Sequence, residues 1–236
     1  MKKGSLYLIP NIIADNTEND VISSRVKIEL LHIAHFLAED IRTARRYLKS
    51  LGIYDSIESL QFQLLNKDTK PGEIKEFFQP VFTGLDLGVV SDSGCPAVAD
   101  PGALAVRFAH ENDIRVIPLV GPSSILLALM ASGLNGQRFS FHGYLPIDPN
   151  ESAKMIRDLE KESRQKNQTQ LFIETPYRSN ALLQHLIKSL HDETILSVAV
   201  DLTSVTEAVR THPVKKWKQL DIKLTKAPVV FSFLAN

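Results

Sequence analysis

Val89-Val90-Ser91-Asp92-Ser93-Gly94-Cys95-Pro96-Ala97-Val98-Ala99-Asp100-Pro101-Gly102 is the stretch around which the chain is organised. Leu87 to Val90 is a short run of apolar, partly β-branched residues, which predicts a buried strand. Ser91 to Pro101 is dense in Ser, Asp, Gly and Pro, so the chain must leave the sheet in a tight, specified loop. Leu104, Val106 and Phe108 then open a helix with Pro101 and Gly102 at its entrance. In an open α/β sheet, ligands bind outside the carboxyl ends of the strands. The candidate site is therefore this loop.

Outward from it, the same rhythm repeats. Leu6 to Ile9 is an apolar run stopped by Pro10, a first buried strand, and the turn-rich Asn11 to Asp20 should line the same sheet edge as the loop. A helical pattern runs from Ser23 through Val26 and Leu30, and a second strand is expected over Ile33 to Leu37. Arg42, Arg45, Arg46 and Lys49 then share one helix face, with Ala44, Tyr47, Leu48 and Leu51 opposite and Gly52 as C-cap. That basic face is either a solvated surface or an anion and RNA-backbone patch. Ser59 to Leu65 is expected as a strand, a helix from Pro71 to near Phe82, and Ile114 to Pro118 as another strand. Strand, helix, strand in this order implies a parallel sheet.

Gly121-Pro122 punctuates the chain, and Ser123 can cap the apolar helix Ile125 to Ala131. The expected division is an N-terminal α/β domain over 1–120 and a C-terminal α/β domain over 121–236. The second half restarts with strand Phe139 to His142, helix Glu151 to Arg164 and strand Gln170 to Ile173. A helix over 178–190, strand Ile195 to Val200, and an antiparallel edge made of Thr206 to Arg210 and Pro228 to Leu234 complete it.

The chain has 236 residues, 44% of them hydrophobic, enough for a substantial core. Lys+Arg and Asp+Glu both number 27, so a general polyanion binder gains nothing from composition, and RNA contact must come from a local patch. The single cysteine, Cys95, permits no intrachain disulfide and fits a reducing compartment. No signal peptide or membrane span is expected, which points to the cytoplasm.

No metal site is expected from the histidine spacing, and no dinucleotide fingerprint, phosphate-binding Gly-Lys-Ser/Thr loop or nucleophile elbow is present. Cys95 is either a reactive thiol or a small filler. The loops are shaped for a small molecule without a triad or metal, which suits a reaction carried by an activated cosubstrate.

Seven segments in fixed order carry a resemblance. They are Leu6–Pro10, Ala38-Glu39-Asp40-Ile41-Arg42, Val90–Pro96, Ala99-Asp100-Pro101-Gly102, Val116–Ser124, Phe141-His142-Gly143-Tyr144-Leu145-Pro146 and Phe172–Arg178. Together they resemble the tetrapyrrole-methylase superfamily of S-adenosylmethionine-dependent methyltransferases. The nearest branch is the one that 2′-O-methylates a cytidine of bacterial small-subunit ribosomal RNA. The resemblance implies two α/β domains with mostly parallel or mixed sheets, the cofactor in the interdomain cleft, and a homodimer. It assigns S-adenosylmethionine to Asp92, Gly94, Cys95, Pro96, Val98 and Ala99, and to Ser123, Ser124, Tyr144, Glu174, Thr175 and Pro228. Glycine and proline let backbone approach a cofactor closely, and amides at a helix start can meet its carboxylate. A ribose hydroxyl needs a general base, for which Glu39 or Asp40 is the candidate, with Arg42 positioning an anionic substrate. The plainer role for the two acids is that of carboxylates at a helix start.

The branch usually carries Pro-Thr-Pro-Ile-Gly-Asn-Leu after the first strand. Here Pro10-Asn11-Ile12-Ile13-Ala14-Asp15-Asn16-Thr17 stands there, Ile41 replaces a Thr, and Cys95 replaces the Thr of a Gly-Thr-Pro loop. A His-rich stretch of the branch is Asn66 to Lys70 here, and its basic C-terminal extension has no counterpart before Asn236. Fewer groups are left to hold RNA. The expectations are thus an RNA methyltransferase, a methyltransferase for a small tetrapyrrole-like molecule, or a non-catalytic cofactor-binding relative.

Overall fold

A computed structural model describes residues 2–235 and divides the chain into two compact units, Met1–Ser123 and Ser124–Asn236. The first unit runs β1 (Leu6–Ile9), α1 (Glu18–Val21), α2 (Ser24–Leu30), β2 (His35–Ala38), α3 (Ile41–Ser50), β3 (Gln61–Leu64), α4 (Ile74–Phe77), α5 (Gln79–Phe82), β4 (Leu87–Val90), α6 (Gly102–Glu111) and β5 (Val116–Pro118). Its five strands lie in the order β3-β2-β4-β1-β5, and every neighbouring pair is parallel. All five carboxyl ends therefore open on one edge. That edge carries the loops after β1, β2, β4 and β5.

Burial on both faces explains the apolar reading of β4. Leu87 and Val89 pack with Leu6, Leu37 and Phe78 beneath α6, while Val90 packs with Ile9, Phe36 and Leu48 beneath α2 and α3. Gly88 has no room for a side chain, since a Cβ there would lie 2.4 Å from Ile9 Cδ1. Helix α3 starts where Asp40 accepts the Thr43 N–H at 2.7 Å, and it buries Ala44, Tyr47 and Leu48 as its period requires.

One expectation fails here. The helix over 71–82 is instead two single turns, α4 and α5, meeting at Phe78. Pro80 explains the break, because it has no N–H and its ring crowds the carbonyl four residues back. The four basic residues of α3 lie at the spacing of one helix face but differ in their surroundings. Arg45 lays its guanidinium 5.5 Å over the Phe62 ring, whereas Arg42, Arg46 and Lys49 remain exposed.

The second unit runs α7 (Ser124–Ser132), β6 (Phe139–Tyr144), α8 (Pro149–Lys166), β7 (Thr169–Glu174), α9 (Ser179–Ser189), β8 (Ile195–Val200), β9 (Ala208–Pro213), α10 (Val214–Trp217) and β10 (Val229–Leu234). The strand order is β6-β7-β10-β8-β9, with β6 and β7 parallel and the other pairs antiparallel. The last strand is thus not at an edge. Val229 to Phe233 are buried on both faces, so β10 fills the middle of the sheet and only β9 is an antiparallel edge. No helix among the described residues is long and apolar enough to cross a membrane.

Candidate functional site

The loop 91–101 leaves β4 in an unusual conformation. Gly94, Ala97 and Ala99 all take positive φ, at 69°, 67° and 60°. A left-handed alanine costs on the order of 1–2 kcal/mol, so the surroundings must hold it there. Asp100 does so, its Oδ1 accepting the N–H of Ala97 at 2.6 Å and of Gly102 at 2.8 Å. Ser91 Oγ donates to Ser93 O at 2.9 Å.

Side chains from elsewhere staple this loop to its neighbours on the edge. Asn11 is almost fully buried, and its Nδ2 donates to the carbonyls of Ser91 at 2.9 Å and Asp92 at 3.1 Å. Its backbone N–H reaches Gly94 O at 2.8 Å. The buried Tyr47 hydroxyl donates to Pro10 O at 2.6 Å. From the third side, the Cys95 thiol donates to Pro122 O at 3.3 Å. Burial, helped by the nearby Asp100 charge, pushes that thiol up, which disfavours the reactive thiolate. Asn11 and Tyr47 were missed in the sequence. One stood in a turn-rich loop and the other on an apolar helix face, and neither carries a local signal of its long-range bond.

The electrostatics of the edge are acidic. Glu39, directly after β2, has its carboxyl raised by burial, then by the charges of Asp92 and Asp100, with the Asp92 N–H offsetting part. Asp92 is raised by burial and by Asp40, and Asp100 chiefly by burial. Asp40 differs. Its exposed carboxylate is held low by the Thr43 N–H, which makes it the cap of α3. Beside Asp92 and Ser93, a hollow of about 290 Å3 opens between the loop after β1 and the Thr43, Arg46 and Tyr47 side of α3. Among the described residues, no group of three His, Cys, Asp or Glu side chains could hold a metal.

The acidic rim and small residues fit S-adenosylmethionine, a cationic sulfonium. A cation there would favour the charged forms of carboxylates that burial raises first, and that neighbouring carboxylates raise further at Glu39 and Asp92. Val98 is half exposed on the same loop and offers an apolar contact.

The remaining expected residues sit apart in chain and partners. Ser124 begins α7, and the segment 119–123 returns to the loop through Pro122. In the second unit, Glu174 ends β7 fully enclosed. Its Oε1 accepts the Thr175 N–H at 2.7 Å, and its Oε2 lies 2.9 Å from Arg178. Thr175 O receives the Ser179 N–H and hydroxyl at the start of α9. Tyr144 is exposed at the end of β6, and Pro228 O accepts the Asp201 N–H at 3.0 Å.

No family model matches the chain. Curated relatives do. A ribosomal RNA small subunit methyltransferase I of Xylella fastidiosa is 33% identical over 206 residues, covering 87% of this chain and 71% of that protein. Its namesake in Escherichia coli O157:H7 is 28% identical over 231 residues, covering 97% and 77%. Among solved structures, the methyltransferase CobJ covers 99% of this chain and 100% of its own at TM-score 0.60 and 15% identity. Uroporphyrin-III-C-methyltransferase from Thermus thermophilus covers 99% and 93% at TM-score 0.56 and 16% identity, and both structures share the fold. At 33% identity to the Xylella protein over 206 aligned residues, the chain belongs to the ribosomal RNA small subunit methyltransferase I family of S-adenosylmethionine-dependent methyltransferases.

Proposed function

We propose that this protein methylates a ribose 2′-hydroxyl of small-subunit ribosomal RNA. The observation that carries the reading is the loop 91–101, held in left-handed turns by Asp100 and ringed by raised carboxylates at the carboxyl edge of a parallel sheet. When bound, S-adenosylmethionine supplies a methyl group on a good leaving group. Asp92, Gly94, Cys95, Pro96, Val98, Ala99, Ser123 and Ser124 are the cofactor ligands in this reading, and by resemblance Tyr144, Glu174, Thr175 and Pro228 join them. Their work is alignment. Glu39 is the base that takes the hydroxyl proton, because its raised carboxyl binds a proton more firmly than an ordinary one. Asp40 caps α3, and Arg42 stands exposed to meet phosphate. The polar lining of the hollow beside Asp92 favours a hydrogen-bonding substrate over an apolar macrocycle.

Calorimetry with S-adenosylmethionine and S-adenosylhomocysteine tests the cofactor half, with a Kd of about 1–100 μM expected for a moderate ligand site. Binding of neither ligand overturns it. Methyl transfer to small subunits lacking the modification tests the other half. Replacing Arg42, Arg46 and Lys49 together with alanine should weaken RNA binding and flatten its salt slope by roughly 0.7–0.9 for each phosphate no longer neutralised. Unchanged affinity and slope would remove the basic helix from RNA binding. A cytoplasmic homodimer belongs to the same reading, by resemblance. Light scattering at twice the chain mass is expected, and a monomer would refute it.

A further inference from the structure

The second unit carries a hollow on the face of its sheet opposite α7. Side chains along a strand alternate between faces, and the β8–β9 register sets Val198 beside Arg210 and Val200 beside Ala208. Ala199, between the two valines, packs with Ala128 of α7, and Val209 packs against the same cluster. Val198, Val200, Ala208 and Arg210 therefore share the other face, where Val198 joins Trp217 and Leu224 in the main core of the unit. Ala208 is the smallest side chain of its row, and beside it a space of about 340 Å3 lies between the two strands and the segment 221–225. That volume falls within the range of small-ligand sites, roughly 300–1,000 Å3. The segment is neither helix nor strand, and Asn180 pins it at Leu224. The Leu224 N–H donates to Asn180 Oδ1 at 2.8 Å, and its carbonyl accepts from Asn180 Nδ2 at 3.0 Å.

The lining divides by chemistry. Its floor is apolar, made by Val198, Val200, Ile222 and Leu224. Its rim holds Arg210 and Lys223, exposed cations that form no ion pair among the described residues, against the one carboxylate of Asp221. Lys215 and Lys218 differ, since Glu193 and Asp192 neutralise them. The positive field reaches His212, next in the same row of β9, whose imidazole is held below its usual value by burial first, then by Lys216 and Arg210. Apolar surface rimmed by unpaired cations complements a ligand with a negative head and an apolar body. It suits a nucleic-acid strand less well, because bases stack on exposed aromatic faces. Trp217, the chain's only tryptophan, is buried, and its indole N–H is donated to Leu196 O at 2.9 Å. We propose that this hollow is a ligand site of its own, taking a small aryl or acyl acid whose anionic group meets Arg210 and Lys223 and whose apolar body lies over Val200 and Ile222. It shares no residue with the loop 91–101, so it stands or falls apart from the methyl-transfer reading.

8-Anilinonaphthalene-1-sulfonate and its neutral counterpart N-phenyl-1-naphthylamine, titrated separately into the isotope-labelled full chain, test this. The sulfonate should shift the single indole N–H signal, that of Trp217, and the methyl signals of Val198 and Val200, with a Kd on the order of 10–100 μM. Arg210→Gln combined with Lys223→Gln should weaken the sulfonate by about 5- to 10-fold and the neutral amine by less than about 2-fold, as two exposed charge contacts would. Ala208→Phe, at an exposed position of the edge strand, should fill the space and abolish the shifts from both probes, with Tm held within about 3 °C. Inorganic phosphate, which has no apolar body, should not displace the sulfonate. Shifts absent from these signals, equal weakening of both probes by the paired glutamines, or displacement by inorganic phosphate alone overturn the proposal. So does displacement of the sulfonate by a small-subunit RNA fragment whose own binding the paired glutamines weaken, because the rim is then an RNA contact.

Discussion

Glu39→Gln is expected to lower kcat by about 10²- to 10⁴-fold, the usual contribution of a general base. Affinity for S-adenosylmethionine should change little, because the amide keeps the shape of the carboxylate. Glu39 directly follows β2, and burial first, then Asp92 and Asp100, hold its carboxyl above the usual carboxylate range. The wild-type rate should therefore rise with pH through a limb displaced above the ordinary value of 4.5, and the variant should lack that limb. Stability has the opposite sign. Glu39, Asp92 and Asp100 bind protons more tightly folded than unfolded. Their contribution is complete below the unfolded carboxylate values and is lost as pH rises through the raised ones. Asp40, held low by the Thr43 N–H, contributes above its unfolded value and loses that contribution on acidification. The Tm difference between Glu39→Gln and wild type should thus favour the variant increasingly as pH rises through that window. A variant with full kcat and an unaltered pH limb would remove Glu39 from the chemistry and return attention to Asp92.

The two residues that hold the edge together explain what the sequence could and could not reveal. The strand Leu87–Val90 and the turn-rich loop after it are local patterns, and β4 and the left-handed loop answer to them. Asn11 donates to carbonyls 80 and 81 residues away, and Tyr47 to one 37 residues away. No local pattern distinguishes those side chains from an ordinary turn asparagine or an apolar helix face. Placement within a sheet is likewise long-range. Val229 to Phe233 read as a strand, but only pairing with β7 and β8 puts it at the centre. The basic face of α3 divides for the same reason, since Phe62, which receives Arg45, comes from another strand. Glu174 stands at the strand end the motif indicated, and Arg178 four residues later turns its carboxylate into half of an ion pair.

Gly121→Ala should be among the most damaging single-methyl changes in the first unit. A Cβ at this position would lie 2.0 Å from Pro10 Cβ and 2.5 Å from its Cγ. Neither side can yield easily. Pro10 is a rigid ring whose carbonyl is tied to Tyr47, and the residue after Gly121 accepts the Cys95 thiol. Overpacking of this kind costs about 1–3 kcal/mol and sometimes more. For a chain of this length each kcal/mol lowers Tm by roughly 2–4 °C, so a fall of up to about 10 °C is expected. Gly72→Ala is the control, because its Cβ meets nothing within 4 Å and its φ is not positive. That change should stay within about 0.5 kcal/mol of wild type. The damage should also reach the cofactor. Pushing Pro122 outward moves the carbonyl that lies 3.5 Å from where a Gly94 Cβ would stand, and with it the partner of Cys95. S-adenosylmethionine affinity should fall at temperatures where the variant is still folded. Lost stability with full affinity would mean that the loop 91–101 keeps its shape without the 119–123 segment, held by Asn11 and Asp100 alone. Wild-type values for both would mean that Pro10 moves aside, and the tight approach of the two loops would then have no part in building the site.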